Sequence, residues 1–166
     1  QRTSGIRSVL EFGANIGLNL KALKRLLPKA ELSAIELNPT AISALEANSE
    51  IMKVYKQSIL DFKPDYQRAR VLIKTVLIHI NPEALPAVYD RLYRSSGKYI
   101  CVAEYYSPAP VTVEYRGHKD RLFKRDFAGE ILEKYPDLTL IDYGFIYHRD
   151  NNFPIGDVNW FLMEKR

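Results

Sequence analysis

The chain holds one cysteine, Cys101, in 166 residues, and its unbroken apolar runs never exceed five residues. A single thiol excludes an internal disulfide framework and a thiolate zinc site. Runs that short exclude a membrane-spanning helix, which needs about 20 apolar residues. The chain does not open on a charged segment followed by an apolar one, so no secretory leader is expected and the expected place of action is the cytoplasm. Excess charge is also scarce: 24 Lys and Arg against 20 Asp and Glu leave +4. That balance favours anionic ligands but is too small to announce nucleic acid. No internal repeat or low-complexity tract is present. What remains is ordinary globular usage, 46% apolar and 27% charged, in a length that suits one domain, residues 1–166, with a sizeable core.

Periodicity divides the chain into alternating elements. A strand over Ile6–Phe12 runs into Gly13-Ala14-Asn15-Ile16-Gly17, followed by a helix whose apolar stripe is Leu18, Leu20, Leu23, Leu26 and Leu27, closed by Pro28. A second strand, Leu32–Glu36, is followed by Asn38-Pro39, an N-cap and first-turn proline, opening a helix with Ala41, Ile42 and Leu45 inward. Met52–Tyr55 reads as a third strand and the nearly all-apolar Val71–Leu77 as a fourth, buried on both faces. A helix from Pro82 to about Ser95, a strand Tyr99–Glu104, a polar stretch 107–121, a helix 123–135, and strands 138–147 and 158–164, the last two adjacent and antiparallel, complete the pattern. Five alternating strands and helices imply an α/β fold with a mostly parallel sheet, in which ligands bind beyond the carboxyl ends of the strands.

Function is therefore sought just after each strand. Gly13, Asn15 and Gly17 suit a turn that needs left-handed backbone, and the following helix presents free N–H groups. Glu36 closes the second strand 23 residues after Gly13, where a carboxylate can accept hydrogen bonds from a ribose diol. A plain strand–helix turn and a solvated strand end are the bland readings of these residues taken singly. In this order and spacing they favour an adenosine-type ligand. The dinucleotide pattern G-x-G-x-x-G fails at Asn15 and Leu18, and no Gly-Lys-Ser/Thr run exists for a P-loop.

The segment Glu11-Phe12-Gly13-Ala14-Asn15-Ile16-Gly17 resembles the first motif of class I S-adenosylmethionine-dependent methyltransferases, with Asn15 departing from the usual glycine. That resemblance implies a Rossmann-like sandwich with a mostly parallel seven-stranded sheet and an antiparallel C-terminal strand. It implies S-adenosylmethionine as cofactor and no metal. Glu11 would lie near the methionine moiety and Glu36 would hold the ribose. Gly13, Ala14, Asn15, Gly17, Leu37, Ser58, Ile59 and Thr75 would complete the cofactor-binding set.

The second half narrows the resemblance. Val76-Leu77-Ile78-His79-Ile80-Asn81-Pro82-Glu83 lacks the Asn/Asp-Pro-Pro-aromatic tetrad of amino-methylating nucleic-acid enzymes. Together with Leu10–Gly17, Ala103-Glu104-Tyr105-Tyr106-Ser107-Pro108, Tyr115-Arg116-Gly117-His118, Leu122–Glu130 and Asp142-Tyr143-Gly144-Phe145, it looks like the pseudaminic acid biosynthesis-associated methylases. The resemblance implies methyl transfer linked to nonulosonic acid sugars. The expected partner is then a small acidic sugar or sugar nucleotide, not nucleic acid and not a membrane; oligomeric state is not addressed. Members of that family carry a segment ahead of the first strand, where this chain has about six residues, and start the fourth strand with an acid and an apolar residue, where it has Ala69-Arg70. Candidates for a catalytic base are His79, His118 and Glu104. Tyr105, Arg116, Lys124 and Arg125 are candidates for holding the sugar carboxylate, because Arg forks match carboxylates bidentately, and Arg116, His118, Lys124 and Arg125 are expected to converge at the mouth of the cofactor site. A solvated charged loop is the bland reading of that stretch. Two further readings stay open: a non-catalytic scaffold or nucleic-acid-binding module, and a short-chain dehydrogenase through Tyr115-x-x-x-Lys119, against which Gly117 speaks because that motif needs a helix.

Overall fold

The computed structural model describes residues 2–115, 117–152 and 155–166, with the backbone alone described at 115 and 118–121. The elements in chain order are β1 (Ser8–Phe12), α1 (Leu18–Leu26), β2 (Glu31–Glu36), α2 (Pro39–Glu46), β3 (Ile51–Lys56), β4 (Arg68–Lys74), α3 (Leu85–Ser95), β5 (Ser96–Glu104), β6 (Val111–Tyr115), β7 (His118–Lys124), α4 (Phe127–Lys134), β8 (Leu138–Ile146) and β9 (Val158–Lys165). Two 3-10 turns, Leu77–His79 and Pro82–Ala84, lie between β4 and α3.

Seven strands form one sheet in the order β3-β2-β1-β4-β5-β9-β8. The pairs β1–β2, β2–β3, β1–β4 and β4–β5 are parallel, while β9 is antiparallel to both β5 and β8. Alternation along β1 separates two cores. Val9 packs with Leu20 of α1 and Leu45 of α2, whereas Leu10 and Phe12 pack with Leu85, Val88 and Leu92 of α3 and Ile131 of α4. The result is a three-layer α/β sandwich, as the alternation implied, of the Rossmann-like class with an antiparallel C-terminal strand that the methyltransferase resemblance implied.

Local chemistry accounts for the element ends. Asn38 caps α2, its side chain accepting from Thr40 N at 2.9 Å and Ala41 N at 3.2 Å, with Pro39 in the first turn. The stripe of α1 is narrower than its leucines suggest: Leu20 is buried, while Leu18 and Leu26 are 64% and 76% exposed. Strand β4 ends three residues earlier than its apolar run because Thr75 turns to φ 52°, a costly conformation for a β-branched residue. The polar stretch after β5 is not a loop. It forms the two-stranded β6–β7 hairpin, whose Val111-Thr112-Val113 alternation was masked by the charges beyond it. Helix α4 accordingly begins at Phe127 rather than 123, where the Asp126 side chain accepts from Gly129 N at 2.8 Å.

Candidate functional site

Order in the sheet reverses at β1, which lies between β2 and β4. The chain runs outward through β2 and β3, then returns to the other side of β1. The connections leaving the strand ends on either side of such a point diverge and open a crevice. Here the segments after β1, β2, β3 and β4 line a cavity of about 660 Å³, within the usual range for a small-molecule or cofactor site.

Two backbone features shape its floor. Gly13 has φ 69°, and a Cβ on it would fall 2.6 Å from Cγ2 of Val76. The turns after β1 and β4 can therefore touch only through a glycine. Asn15 has φ 48°, in the left-handed region that the sequence assigned to it. Thr75, also at positive φ, is tied to β5 by its N–H donating to Ala103 O at 2.9 Å. Positive φ at non-glycine residues is thus confined, among the described residues, to two positions, and both line the cavity. Strained backbone clusters at binding sites in this way.

Glu36 organises the wall opposite. One carboxylate oxygen accepts from Asn15 N at 2.7 Å, and the other accepts from Leu37 N and Asn38 N, each at 2.8 Å. One side chain thereby ties the turn after β1 to the turn after β2. Glu11 lies deeper. It is 1% exposed, its Oε1 accepts from Nδ2 of Asn19 at 2.7 Å, and its Oε2 has no hydrogen-bond partner among the described residues. Burial pushes its carboxyl up to about 7, against the opposing pull of the Asn19 bond and the Lys74 charge. Lys74, the last residue of β4, reaches Oδ1 of Asn19 at 3.4 Å.

The cavity brings together nine of the residues singled out from the sequence: Gly13, Ala14, Asn15, Glu36, Leu37, Ser58, Ile59, Thr75 and His79. Glu11 lies behind the wall. Gly17 caps α1 at φ 78° and faces the core, where a Cβ would meet Cδ2 of Leu45 at 2.8 Å. Glu104 does not reach the cavity. It is 2% exposed, and its Oε1 accepts from Val76 N and Leu77 N, each at 2.9 Å. It anchors the turn that carries His79 instead of facing an acceptor, and burial raises its carboxyl to about 7. Sequence reasoning passed over Asn19, Lys74 and Gln57. Lys74 carried no such signal, because it sits inside the apolar run Val71–Leu77 and becomes a strand end only where Thr75 turns away.

The hairpin's β7 packs against the 3-10 turn Leu77–His79, at the edge of the cavity. Lys124, near the end of β7, sits 5.4 Å from the Tyr105 ring centre. Arg125 does not join it: its guanidinium pairs with Glu130, which also accepts from the Tyr89 hydroxyl at 2.7 Å. The expected convergence of cations is thus reduced by one, because Arg125 is held by the first turn of α4. Arg116 and the side chain of His118 lie outside the described residues. Tyr115 and Lys119 fall on the two strands of the hairpin, not on one helix, so the dehydrogenase arrangement is absent. Among the described residues no group of three or more His, Cys, Asp or Glu side chains is placed to hold a metal ion.

Comparison with known proteins agrees on the fold. Neither a protein-family model nor a curated protein sequence matches the chain. Solved structures do. The 1,6-didemethyltoxoflavin-N1-methyltransferase of Burkholderia thailandensis, with 1,6-didemethyltoxoflavin and S-adenosylhomocysteine bound, superposes at TM-score 0.74 with 14% identity, over 95% of this chain and 70% of that one. The N-methyltransferase NodS of Bradyrhizobium japonicum with S-adenosylhomocysteine gives 0.70 and 14% over 98% and 79%. The magnesium protoporphyrin IX methyltransferase of Synechocystis with S-adenosylmethionine gives 0.67 and 12% over 95% and 69%. This chain has the Rossmann-like methyltransferase fold.

Proposed function

We propose that the protein is an S-adenosylmethionine-dependent methyltransferase acting on a small acidic sugar or sugar nucleotide, in the making of pseudaminic or a related nonulosonic acid. The observation that carries the cofactor is the cavity at the switch point, with Glu36 at its wall and three positive-φ residues, Gly13, Asn15 and Thr75, in the two turns at its floor. The residues fit the group. Glu36 retains acceptor capacity for a ribose hydroxyl. The segment Gln57-Ser58-Ile59 after β3 lines the part of the cavity beyond it, where a purine would rest. The unpartnered, buried Oε2 of Glu11 favours positive charge near the end of β1.

The cofactor, when bound, supplies an activated methyl group. The chain's own contribution is then placement and exclusion of water, which supply much of the rate in such transfers. The Thr75–Val76 turn and Gly13 would hold the cofactor's centre, and the 3-10 turn Leu77–His79 with the β6–β7 hairpin would bound the acceptor side. His79 lines the cavity there and is the proposed base if the acceptor must lose a proton. Support for an acidic acceptor comes from the family resemblance of the hairpin region and from Lys124 beside Tyr105.

Calorimetry with S-adenosylhomocysteine and, separately, NAD tests the cofactor: binding of the first alone is expected. Transfer of labelled methyl from S-adenosylmethionine to a nonulosonic acid, against its carboxyl-reduced analogue, tests the acceptor. Equal turnover on both would sink the acidic-sugar reading and leave the methyltransferase reading standing.

A further inference from the structure

The turn from β8 to β9 lies at the same end of the sheet as the cavity, because β9 starts beside the carboxyl end of β5. It carries an ion pair that the cavity does not use. The Asp157 carboxylate accepts from the His148 main-chain N–H at 2.9 Å and meets Nδ1 of the same histidine through both oxygens, at 2.9 and 3.0 Å. The Tyr147 ring meets the imidazole edge-on, with centroids 4.6 Å apart. The main-chain bond alone would close the turn, and any residue other than proline at 148 could supply it. The ring contact is an addition, and with side chains 50% and 49% exposed it contributes little to stability. What it fixes is the imidazole. With Nδ1 engaged by a carboxylate, the neutral ring carries its proton there, and Nε2, on the far side of the ring, is left as an acceptor.

Three contacts set this imidazole on the acceptor side. Gly156 lies against Tyr105, the residue after β5: a Cβ there would fall 2.7 Å from the Tyr105 hydroxyl oxygen, so the turn comes this close only through a glycine. Lys124 of β7 stands 5.4 Å from the Tyr105 ring centre. The Asp157 carboxyl is held below its ordinary value first by the His148 N–H, then by the His148 ring, and the Lys124 charge adds to them. Strand β7 in turn packs against the Leu77–His79 turn at the edge of the cavity. Arg125 is paired with Glu130, whereas Lys124 pairs with no carboxylate among the described residues. A cation beside an acceptor nitrogen of fixed direction is the complement of a molecule that carries a carboxylate and a hydroxyl. A bare phosphate would use the cation and leave the nitrogen idle. Resting on the acidic-sugar reading, we infer that Lys124 and His148 form the subsite that recognises the acceptor. Lys124 Nζ donates to the sugar carboxylate, His148 Nε2 accepts from a sugar hydroxyl, and Asp157 is the positioning residue.

Transfer of labelled methyl from S-adenosylmethionine, read as KM and kcat on a nonulosonic acid and on its carboxyl-reduced analogue, separates the parts. His148→Phe keeps a planar ring without Nε2. It should raise KM roughly three- to tenfold on both acceptors, the scale of one hydrogen bond, with kcat within about twofold. Lys124→Met should raise KM on the acid alone. Asp157→Ala should match His148→Phe, and the double variant should be no worse than either, since both changes delete one interaction. Calorimetry should show the parent's S-adenosylhomocysteine affinity in every variant. An unchanged KM in His148→Phe would overturn the assignment and leave the acidic-sugar reading standing. Additive losses in the double variant, or lost S-adenosylhomocysteine affinity, would make the pair a clasp of the turn and overturn the assignment too. A parent that binds S-adenosylhomocysteine but transfers no methyl to the nonulosonic acid would overturn the acidic-sugar reading, and the assignment with it.

Discussion

Replacing Glu36 by alanine separates two roles that its carboxylate holds at once. A carboxylate offers about four acceptor sites. Three are engaged, by Asn15 N at 2.7 Å and by Leu37 N and Asn38 N at 2.8 Å each. One remains, on the oxygen that faces Asn15. Glu36 can thus accept one ribose hydroxyl without giving up the turn it ties, and the expected loss on removal is one charge-assisted hydrogen bond, about 1.5–3 kcal/mol. That corresponds to a rise in the S-adenosylhomocysteine Kd of roughly 10- to 150-fold. The folding cost should be smaller than three lost bonds suggest. All three N–H groups lie at exposed positions, so water replaces the carboxylate and the net cost is about 1 kcal/mol, a Tm fall of roughly 2–4 °C at this size. Glutamine should not rescue either property: with one oxygen only, its amide nitrogen must face at least one of the three N–H donors. The assay is calorimetry for affinity beside a thermal melt for stability. An alanine variant that binds as tightly as the parent refutes the ribose role. A Tm loss above about 10 °C would show that Glu36 is a structural tie first and a ligand second.

Three further outcomes follow from the same geometry. With φ at 48°, Asn15→Gly should keep the parent's S-adenosylhomocysteine affinity, whereas Asn15→Val, β-branched in the left-handed region, should lose it; full affinity in the valine variant would contradict this backbone. In Gly13→Ala the new Cβ meets Val76 Cγ2 at 2.6 Å, so binding should fall, and adding Val76→Ala should restore part of it by removing the clash but not the strain of positive φ. Glu11 and Glu104 are both raised from 4.5 to about 7 by burial, so between those values the folded state binds protons that the unfolded state has released. Stability should therefore fall as pH rises through that window, by about 3 kcal/mol per group, and urea midpoints at pH 5 and pH 8 read it. Glu104→Gln keeps the acceptor for Val76 N and Leu77 N and should flatten the slope; a midpoint that rises with pH in the parent would refute the burial argument.

The alternation of strands and helices was legible in the sequence because each element carries its own period and punctuation. Asn38-Pro39 announces α2 by capping chemistry that acts within four residues. The glycine turn, the left-handed Asn15 and the carboxylate of Glu36 were legible for the same reason: the constraint on each is local, either a φ value or a position at a strand end. The β6–β7 hairpin was not. Its pairing bonds join residues on two segments separated by a charged stretch whose composition reads as solvated loop, and only the register Val111 to Lys124 and Thr112 to Phe123 makes it a ribbon. The start of α4 moved with it.

Roles that depend on what lies opposite were decided by the tertiary structure. Glu104 and Glu36 look alike in sequence, each a carboxylate ending a strand, yet one is buried beneath the turn after β4 and the other lines the cavity. Arg125 looked as available as Lys124 until α4 brought Glu130 against it. Lys74 and Asn19 stand 55 positions apart and meet only because β4 returns to lie beside β1. The sequence by itself determined the period of the alternating strands and helices, the backbone freedom of the turn after β1 and the carboxylates that close β2 and β5, since these are properties of a residue and its immediate neighbours. Which of those charges faces a ligand and which is spent on holding the fold was decided only by the sheet order, because a side chain's partners across strands are set by packing over distances that no local pattern encodes.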